Sequence, residues 1–325
     1  METIAYFLQR AIAQALPLLF GSTGEIITEK SGNLNLGIPG IMISGGVAGM
    51  ISAVIYEKSV ENPIGWVSVL ISFCCAILFA VLVSLIYCFL TVTLRANQNV
   101  TGLAITIFGT GFGNFFGGAI GKLLGVQDIS ILTTVEAYKT TLPFAKDAGI
   151  FGTIFLNHGF LFPLAVFIAL AAAYIIKRTR TGLNLRAVGE NPATADAAGI
   201  NVTKYKYLAT CIGGAIAGLG GLYYVMDYSR GTWDTQSFGE RGWLSIALVI
   251  FVLWRPNWAL LGSFVFGGLY IADVYVPGLS GASKELFKML PYVVTIIVLI
   301  CTSFTKKKEN QPPESLGVPY FREDR

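Results

Sequence analysis

Residues Trp66–Thr93 read WVSVLISFCCAILFAVLVSLIYCFLTVT, twenty-eight positions without one charged side chain. A helix crosses a bilayer with about 20 mostly apolar residues, so this run is long enough to span with a tilt or to include a loop. The rest of the chain is built alike. Of 325 residues, 54% are hydrophobic and 13% charged, and the mean hydropathy is +0.65. A soluble domain carries about 25% charged residues. This chain has too few charges to cover a water-facing surface of its size.

Comparable apolar stretches lie at roughly 4–20, 34–55, 100–120, 160–176, 208–226, 243–254, 258–275 and 289–304. With 66–93 they make about nine spans. The 243–254 segment is short, so the range is eight to ten. The fold class is therefore all-α, a polytopic transmembrane helix bundle, with residues 1–304 as the membrane domain and 305–325 as a C-terminal tail. The first apolar stretch lacks a basic leader and a small-residue cleavage site, so it reads as a retained helix.

Charge sets the orientation. The 177–207 linker carries Lys177, Arg178, Arg180, Arg186, Lys204 and Lys206 against Glu190 and Asp196, and Lys306, Lys307 and Lys308 follow the last span. The positive-inside rule places both in the cytoplasm. Segments 25–33, 94–99 and 255–257 then face the same side, while 56–65, 121–159, 227–242 and the N-terminus face outward.

Of the 37 glycines, Gly109, Gly113, Gly117, Gly121 and Gly125 recur every four residues, and Gly45/Gly49 and Gly214/Gly218 repeat the spacing. Small residues so spaced let helix backbones approach closely in lipid. Packing inside the bundle is the plainer reading; a subunit interface or pathway lining is the other.

Several function classes drop out. A net charge of +4 is too mild for a nucleic-acid binder. The one histidine, His158, excludes a His-rich metal cluster and reads as solvated or interfacial. Cys74, Cys75, Cys88, Cys211 and Cys301 sit in apolar segments as small hydrophobes. Near Gly121-Lys122 a phosphate-binding loop would need glycine at Phe116 and Ser or Thr at Leu123. Asp273 is the only acid well inside a proposed span, with Arg10 as its basic counterpart. Intramembrane charges mark ion pathways, so their scarcity implies an energy source outside this chain.

In the linker, Asn191-Pro192 is a helix start, with Asn as N-cap and Pro at the first helical position. Ala193, Ala195, Ala197 and Ala198 continue a short helix that Gly199 ends. So short a helix is marginal alone in water and needs something to dock against. A soluble partner is one answer; the protein's own membrane domain is the other.

Arg180-Thr181-Gly182-Leu183, Ala187-Val188-Gly189-Glu190-Asn191, Ala195 and Ala198-Gly199-Ile200 resemble the coupling loop of ABC-importer permeases in the branch for simple sugars, branched-chain amino acids and nucleosides. Thr28–Gly37, Leu94–Gln98 with Thr101–Ala104, and Arg241–Trp243 through Ile250-Phe251, Arg255-Pro256 and Leu260–Gly262 are similar to its nucleoside and simple-sugar members. The pattern departs at Pro39, where that group commonly has an acidic residue; Pro39 between glycines favours a break or re-entrant turn.

The resemblance implies a type II-like permease fold and a non-catalytic subunit of an ATP-driven importer in a bacterial cell membrane. It implies a second permease, identical or paralogous, ABC ATPase subunits that bind ATP and Mg²⁺, and an extracellular binding lipoprotein bringing a nucleoside or simple sugar. No cofactor or metal of its own is implied. Thr181, Gly182, Gly189, Glu190, Asn191, Ala195 and Gly199 would couple to the ATPase, with residues 190–199 as the coupling helix. Polar residues at span ends, Asn33, Asn35, Asn97, Gln98 and Asn114, and Pro39 beside them, are candidates to line the path; each polar one is equally a helix cap or a backbone partner. In the 227–242 loop, Asp227, Arg230, Trp233, Asp234, Glu240 and Arg241 are candidates to meet the binding protein. The competing class is an ATPase-independent secondary carrier or channel, which needs ion-coupling residues or a polar pore ring.

Overall fold

A chain that lies in lipid must satisfy its backbone internally, and helix is the only regular structure among the described residues. The computed structural model describes residues 2–119, 131–140, 149, 152–276, 281–305 and 311–322. The long helices are α1 (Glu2–Glu29), α2 (Ile38–Ser59), α3 (Gly65–Cys88) and α4 (Gln98–Phe112). A short α5 (Leu132–Tyr138) precedes α6 (Leu161–Arg178). The linker folds as α7 (Arg180–Glu190) and α8 (Pro192–Ala197). Then come α9 (Val202–Tyr223), α10 (Thr235–Phe251), α11 (Pro256–Tyr275) and α12 (Gly281–Thr305). Helices α3, α4 and α9 each end in a π-helical turn, Phe89–Thr93, Gly113–Gly117 and Tyr224–Tyr228.

Among the described residues, seven helices are long and apolar enough to cross a membrane. α10, with 17 residues, and α12, with the apolar run Leu286–Cys301, lie beside them. The inner helices are α1, α2 and α9: 78% of the apolar window of α2 is buried, against 28% for α6. The outer helices instead show apolar side chains such as Leu70, Leu78 and Leu82 on α3, Phe167 and Leu170 on α6, and Ile296 and Ile300 on α12. That is the inside-out distribution expected when the solvent is lipid.

Two ends are distinct. The turn after α1, residues 94–97, the α7–α8 linker, the α10–α11 turn and residues 311–322 gather at one end, where Gly317 N–H donates to Gly32 O (3.1 Å) and Arg95 lies 4.5 Å from the Phe321 ring. The α2–α3 turn, α5, residues 152–160 and 229–234 gather at the other, where Glu57 accepts the Thr134 N–H at 2.7 Å. This division matches the two sets of segments that charge alone separated. Lys306, Lys307 and Lys308 lie outside the described residues.

Three expectations change. First, residues 25–29 are not loop: α1 continues to Glu29 and buries both Glu25 and Glu29, which removes Asp273 from its place as the lone deep acid. The burial is compensated in part: Glu25 Oε1 accepts the Asn35 N–H (3.1 Å) and Glu29 accepts the Trp254 indole N–H, while Glu25 Oε2 is buried without a hydrogen-bond partner. Second, Pro39 makes no break. It occupies the first turn of α2, where a missing N–H costs no hydrogen bond. Third, the outward 227–242 stretch is mostly helix, because the π turn runs to Tyr228 and α10 begins at Thr235. The 243–254 span accordingly ends at Phe251, and Leu253 and Trp254 turn the chain with φ of 55° each.

The glycine stripe packs inward. A Cβ on Gly109 would sit 2.3 Å from Gly40 O, and on Gly113 or Gly117 it would strike the Trp233 ring. Gly121 and Gly125 lie outside the described residues. The tightest crossing is α2 on α9, where a Cβ on Gly221 would lie 1.8 Å from Met42 O, a backbone atom with no room to yield. Gly221→Ala is therefore expected to lower the detergent melting temperature by several degrees or to abolish membrane accumulation. Gly111→Ala, with no atom within 4 Å of its Cβ, is expected to leave both unchanged.

Candidate functional site

The chain between α1 and α2, Lys30–Gly37, is non-helical yet mostly buried. Backbone in that position must find partners or cost several kcal/mol per group. It finds side chains from three helices, and a fourth meets the Asn33 side chain. Leu34 N–H donates to Gln98 Oε1 of α4 (2.7 Å), and Leu34 O accepts from Tyr87 of α3 (2.6 Å). Asn35 N–H reaches Glu25 of α1, and Leu36 O accepts from Thr106 of α4 (2.7 Å). Asn33 Nδ2 donates to Thr210 Oγ1 of α9 (3.0 Å), while Asn35 Oδ1 closes a local turn on the Gly37 N–H (3.0 Å). Asn33 Oδ1 and Asn35 Nδ2 remain buried without a partner.

The structure thus brings Asn33, Asn35 and Gln98 together in one polar cluster with Glu25. Pro39 lies buried a few residues on, with its ring and backbone packed where a side chain at Gly242 would be. Asn97 stands apart as the exposed N-cap of α4, accepting the Val100 N–H at 3.1 Å. Asn114 is exposed in the π turn Gly113–Gly117. Sequence reasoning missed Glu25, Glu29, Thr106, Thr210 and Trp254. The signal available was the pair Glu25/Glu29, one helical turn apart in a run with no proline after Pro17.

Beyond this cluster opens a cavity of about 720 Å³, lined by Glu29, Leu34, Glu190, Trp254, Pro313 and Leu316 among others. A second one, of about 610 Å³, adjoins it with Lys30, Lys177, Arg178, Arg186 and Arg255 around Glu190. Burial pulls the Lys30 ammonium below its ordinary pKa, against the pull of Glu190, with Arg186 adding to the depression.

The coupling candidates lie at this end, four of the seven exposed and three buried. Thr179 caps α7 by accepting the Gly182 N–H (3.1 Å), and Asn191 caps α8 by accepting the Thr194 N–H (2.9 Å). Gly182 and Gly189 are buried, Gly189 because its Cα faces Lys30 O, where a Cβ would stand 2.3 Å away. Thr181, Glu190, Asn191 and Gly199 are exposed; Ala195 is buried on Val188 and Val202. Gly199 takes φ +81°, the left-handed conformation that ends a helix. The rest of α8, Ala193, Thr194, Ala197 and Ala198, faces outward with small side chains.

At the opposite end Arg10 and Asp273 both line a third cavity, about 630 Å³, with Gln14, Tyr228, Tyr270 and Lys288. Arg241 is not on a loop surface. It is 3% exposed, bonded to Gln14 Oε1 (2.8 Å) and surrounded by the rings of Tyr224, Tyr228 and Tyr270 at 4.5–5.1 Å. A guanidinium so enclosed gains cation–π attraction in place of hydration. His158 bonds Ile154 O (3.0 Å) and lies on Phe162, with burial lowering its pKa. Among the described residues no group of three His, Cys, Asp or Glu could hold a metal.

The family described as "Branched-chain amino acid transport system / permease component" matches residues 7–299. The chain belongs to that family. This permease is 31% identical to the nucleoside ABC transporter permease protein NupC of Lactococcus lactis subsp. cremoris, over 92% of each chain. It is 29% identical to the guanosine ABC transporter permease protein NupQ of Bacillus subtilis, over 99% of this chain and 98% of that one. The putative glucose ABC transporter permease protein TsgC13 of Haloferax volcanii is 29% identical over 92% of each. NupB and NupP, further permeases from the same Lactococcus and Bacillus, match over 45% and 43% of this chain. No solved structure matches.

Proposed function

We propose that this permease is the membrane subunit of an importer driven by ATP on partner ATPases, and that its cargo is a nucleoside. The observation that carries it is the full-length likeness to nucleoside permeases joined to the geometry of α8, a small-residue helix capped at both ends and presented outward on the basic end. By the positive-inside rule that end, with Lys177, Arg178, Arg186 and Lys204, faces the cytoplasm, and so does the C-terminus. There the ATPases meet residues 190–199, and ATP with Mg²⁺ binds on them, not here. The second permease is a paralogue, as the names NupC with NupB and NupQ with NupP suggest for those systems. An extracellular lipoprotein delivers cargo to the outer end, in a bacterial cell membrane.

The outer cavity suits this cargo. Asp273 and Arg10 offer hydrogen bonds to ribose hydroxyls along a wall that includes Tyr270, whereas Gln14 and Tyr228 are bonded to each other and held by Arg241.

The test is uptake of radiolabelled nucleoside into vesicles holding both permeases and the ATPases, with binding protein added. ATP-dependent uptake that unlabelled nucleosides compete away and glucose does not is the expected result. Gradient-driven uptake without any ATPase would make the secondary-carrier reading correct. The topology has its own check: Ala198→Cys, in a chain freed of its five native cysteines, is expected to react with an impermeant maleimide from the cytoplasmic side alone.

A further inference from the structure

The segment after the last helix does not hang free. Residues 311–322 lie across the basic end and touch three things in sequence. Pro313 is buried and Leu316 packs on the main core, both walling the 720 Å³ cavity. Ser315 N–H donates to Gly189 O (3.0 Å), its hydroxyl donates to the same oxygen, and Gly317 N–H donates to Gly32 O (3.1 Å). Tyr320 then packs on Val188, Ala195 and Val202, and its hydroxyl donates to Asp196 (2.9 Å), which Arg322 also meets at 3.2 Å.

One short segment therefore joins the end of α7 (Gly189), the coupling helix α8 (Asp196) and the buried polar turn (Gly32). We propose that residues 311–322 are a strap that makes α8 and the turn Lys30–Gly37 move as one body, so that the push of an ATPase on α8 reaches the membrane interior. Tyr320 and Arg322 are positioning residues in this scheme, and the ATPase is the partner assigned under the proposed function, on which this inference rests.

The physical need is clear. α8 has six residues and buries only Ala195 of them. A helix of that length does not hold its shape alone, and a load applied to it would be lost in local unfolding. Its covalent neighbours hold it through one side chain, Ala195 on Val188 and Val202, and Asn191 and Ala198–Asn201 on either side are non-helical. Asp196 lies on α8 itself, so the strap grips the helix by its own side chain. At its other end the strap grips the backbone of the turn whose remaining bonds reach α1, α3, α4 and α9. Motion of α8 is thereby delivered to four helices at once.

Two measurements test this, one independent of transport. In the isolated permease, amides of residues 193–198 are expected to exchange hydrogen at least tenfold faster when residues 311–325 are deleted; equal exchange overturns the strap whatever the protein carries. In the assembled importer, Tyr320→Phe with Arg322→Glu is expected to leave the ATPases bound and hydrolysing while nucleoside moved per ATP falls about tenfold. Adding Asp196→Lys to Arg322→Glu restores the pair with charges exchanged and is expected to recover most of the uptake. Unchanged uptake in the first variant, no recovery in the exchanged pair, or loss of the ATPases from the complex each overturns the positioning role. Absence of ATP-driven uptake with the unaltered chain defeats the importer reading alone, and the exchange experiment still decides the strap.

Discussion

Glu25→Leu is expected to leave the protein in the membrane and to cut nucleoside uptake at least tenfold, while Glu25→Gln keeps uptake within a few-fold of the unaltered chain. Glu25 Oε1 is the acceptor for the Asn35 N–H, deep in the bundle. Glutamine keeps a carbonyl oxygen in that place. Leucine keeps the bulk and removes the acceptor, which leaves a buried amide unpaired at a cost of about 1–3 kcal/mol. The amide belongs to a turn that cannot seek water, so the turn shifts to find another partner. Its other bonds, to Gln98, Tyr87, Thr106 and Thr210, are then strained together. Gln98→Leu removes the acceptor for the Leu34 N–H and is expected to act in the same direction. The readouts are ATP-driven uptake beside membrane abundance. Equal uptake for Glu25→Leu and Glu25→Gln would show that the turn does not depend on this acceptor.

That contrast also shows where sequence reading stopped. The nine apolar stretches were legible because hydropathy is a property of composition over a window, and each overlaps a helix here, seven of them long and apolar enough to span among the described residues. The linker was legible because Asn191, Pro192 and Gly199 are local stop and start chemistry, and each performs that role. Glu25 and Glu29 were not, because an acid at the end of an apolar run reads as the edge of the membrane. Only the Asn35 amide and the Trp254 indole, both distant in sequence or across a turn, show that they are buried inside the bundle. Arg241 was misplaced for the same reason: its partners Gln14, Tyr224 and Tyr270 come from α1, α9's end and α11, and no window of sequence contains them. Pro39 misled differently. Proline between glycines breaks a helix in its interior and starts one in its first turn, and the difference depends on where the helix begins.

Gly189 and Gly199 belong to the same loop but are glycines for different reasons, and substitution separates them. Gly189→Ala is expected to cut uptake at least tenfold; Gly199→Ala is expected to cut it no more than a few-fold. A Cβ at Gly189 would lie 2.3 Å from Lys30 O and 3.0 Å from Lys30 C. Both are backbone atoms of a turn held by four helices, so the end of α7 must lift instead. Lifting it also breaks the bonds that Ser315 makes to Gly189 O, and α8 loses its register with the Lys30–Gly37 turn. At Gly199 no atom lies within 4 Å of the Cβ position, and the only cost is the left-handed φ of +81°, about 1–2 kcal/mol for a residue with a Cβ. The exposed end of α8 relieves part of that by a small rotation into water. The two variants should also differ in kind. Gly189→Ala is expected to retain ATPases on an exposed, correctly shaped α8 while hydrolysis no longer drives uptake, whereas Gly199→Ala is expected to lower ATPase retention and uptake together. Equal effects would mean that α7 does not bear on the Lys30–Gly37 turn during transport, and the path of force would have to run through α9 instead.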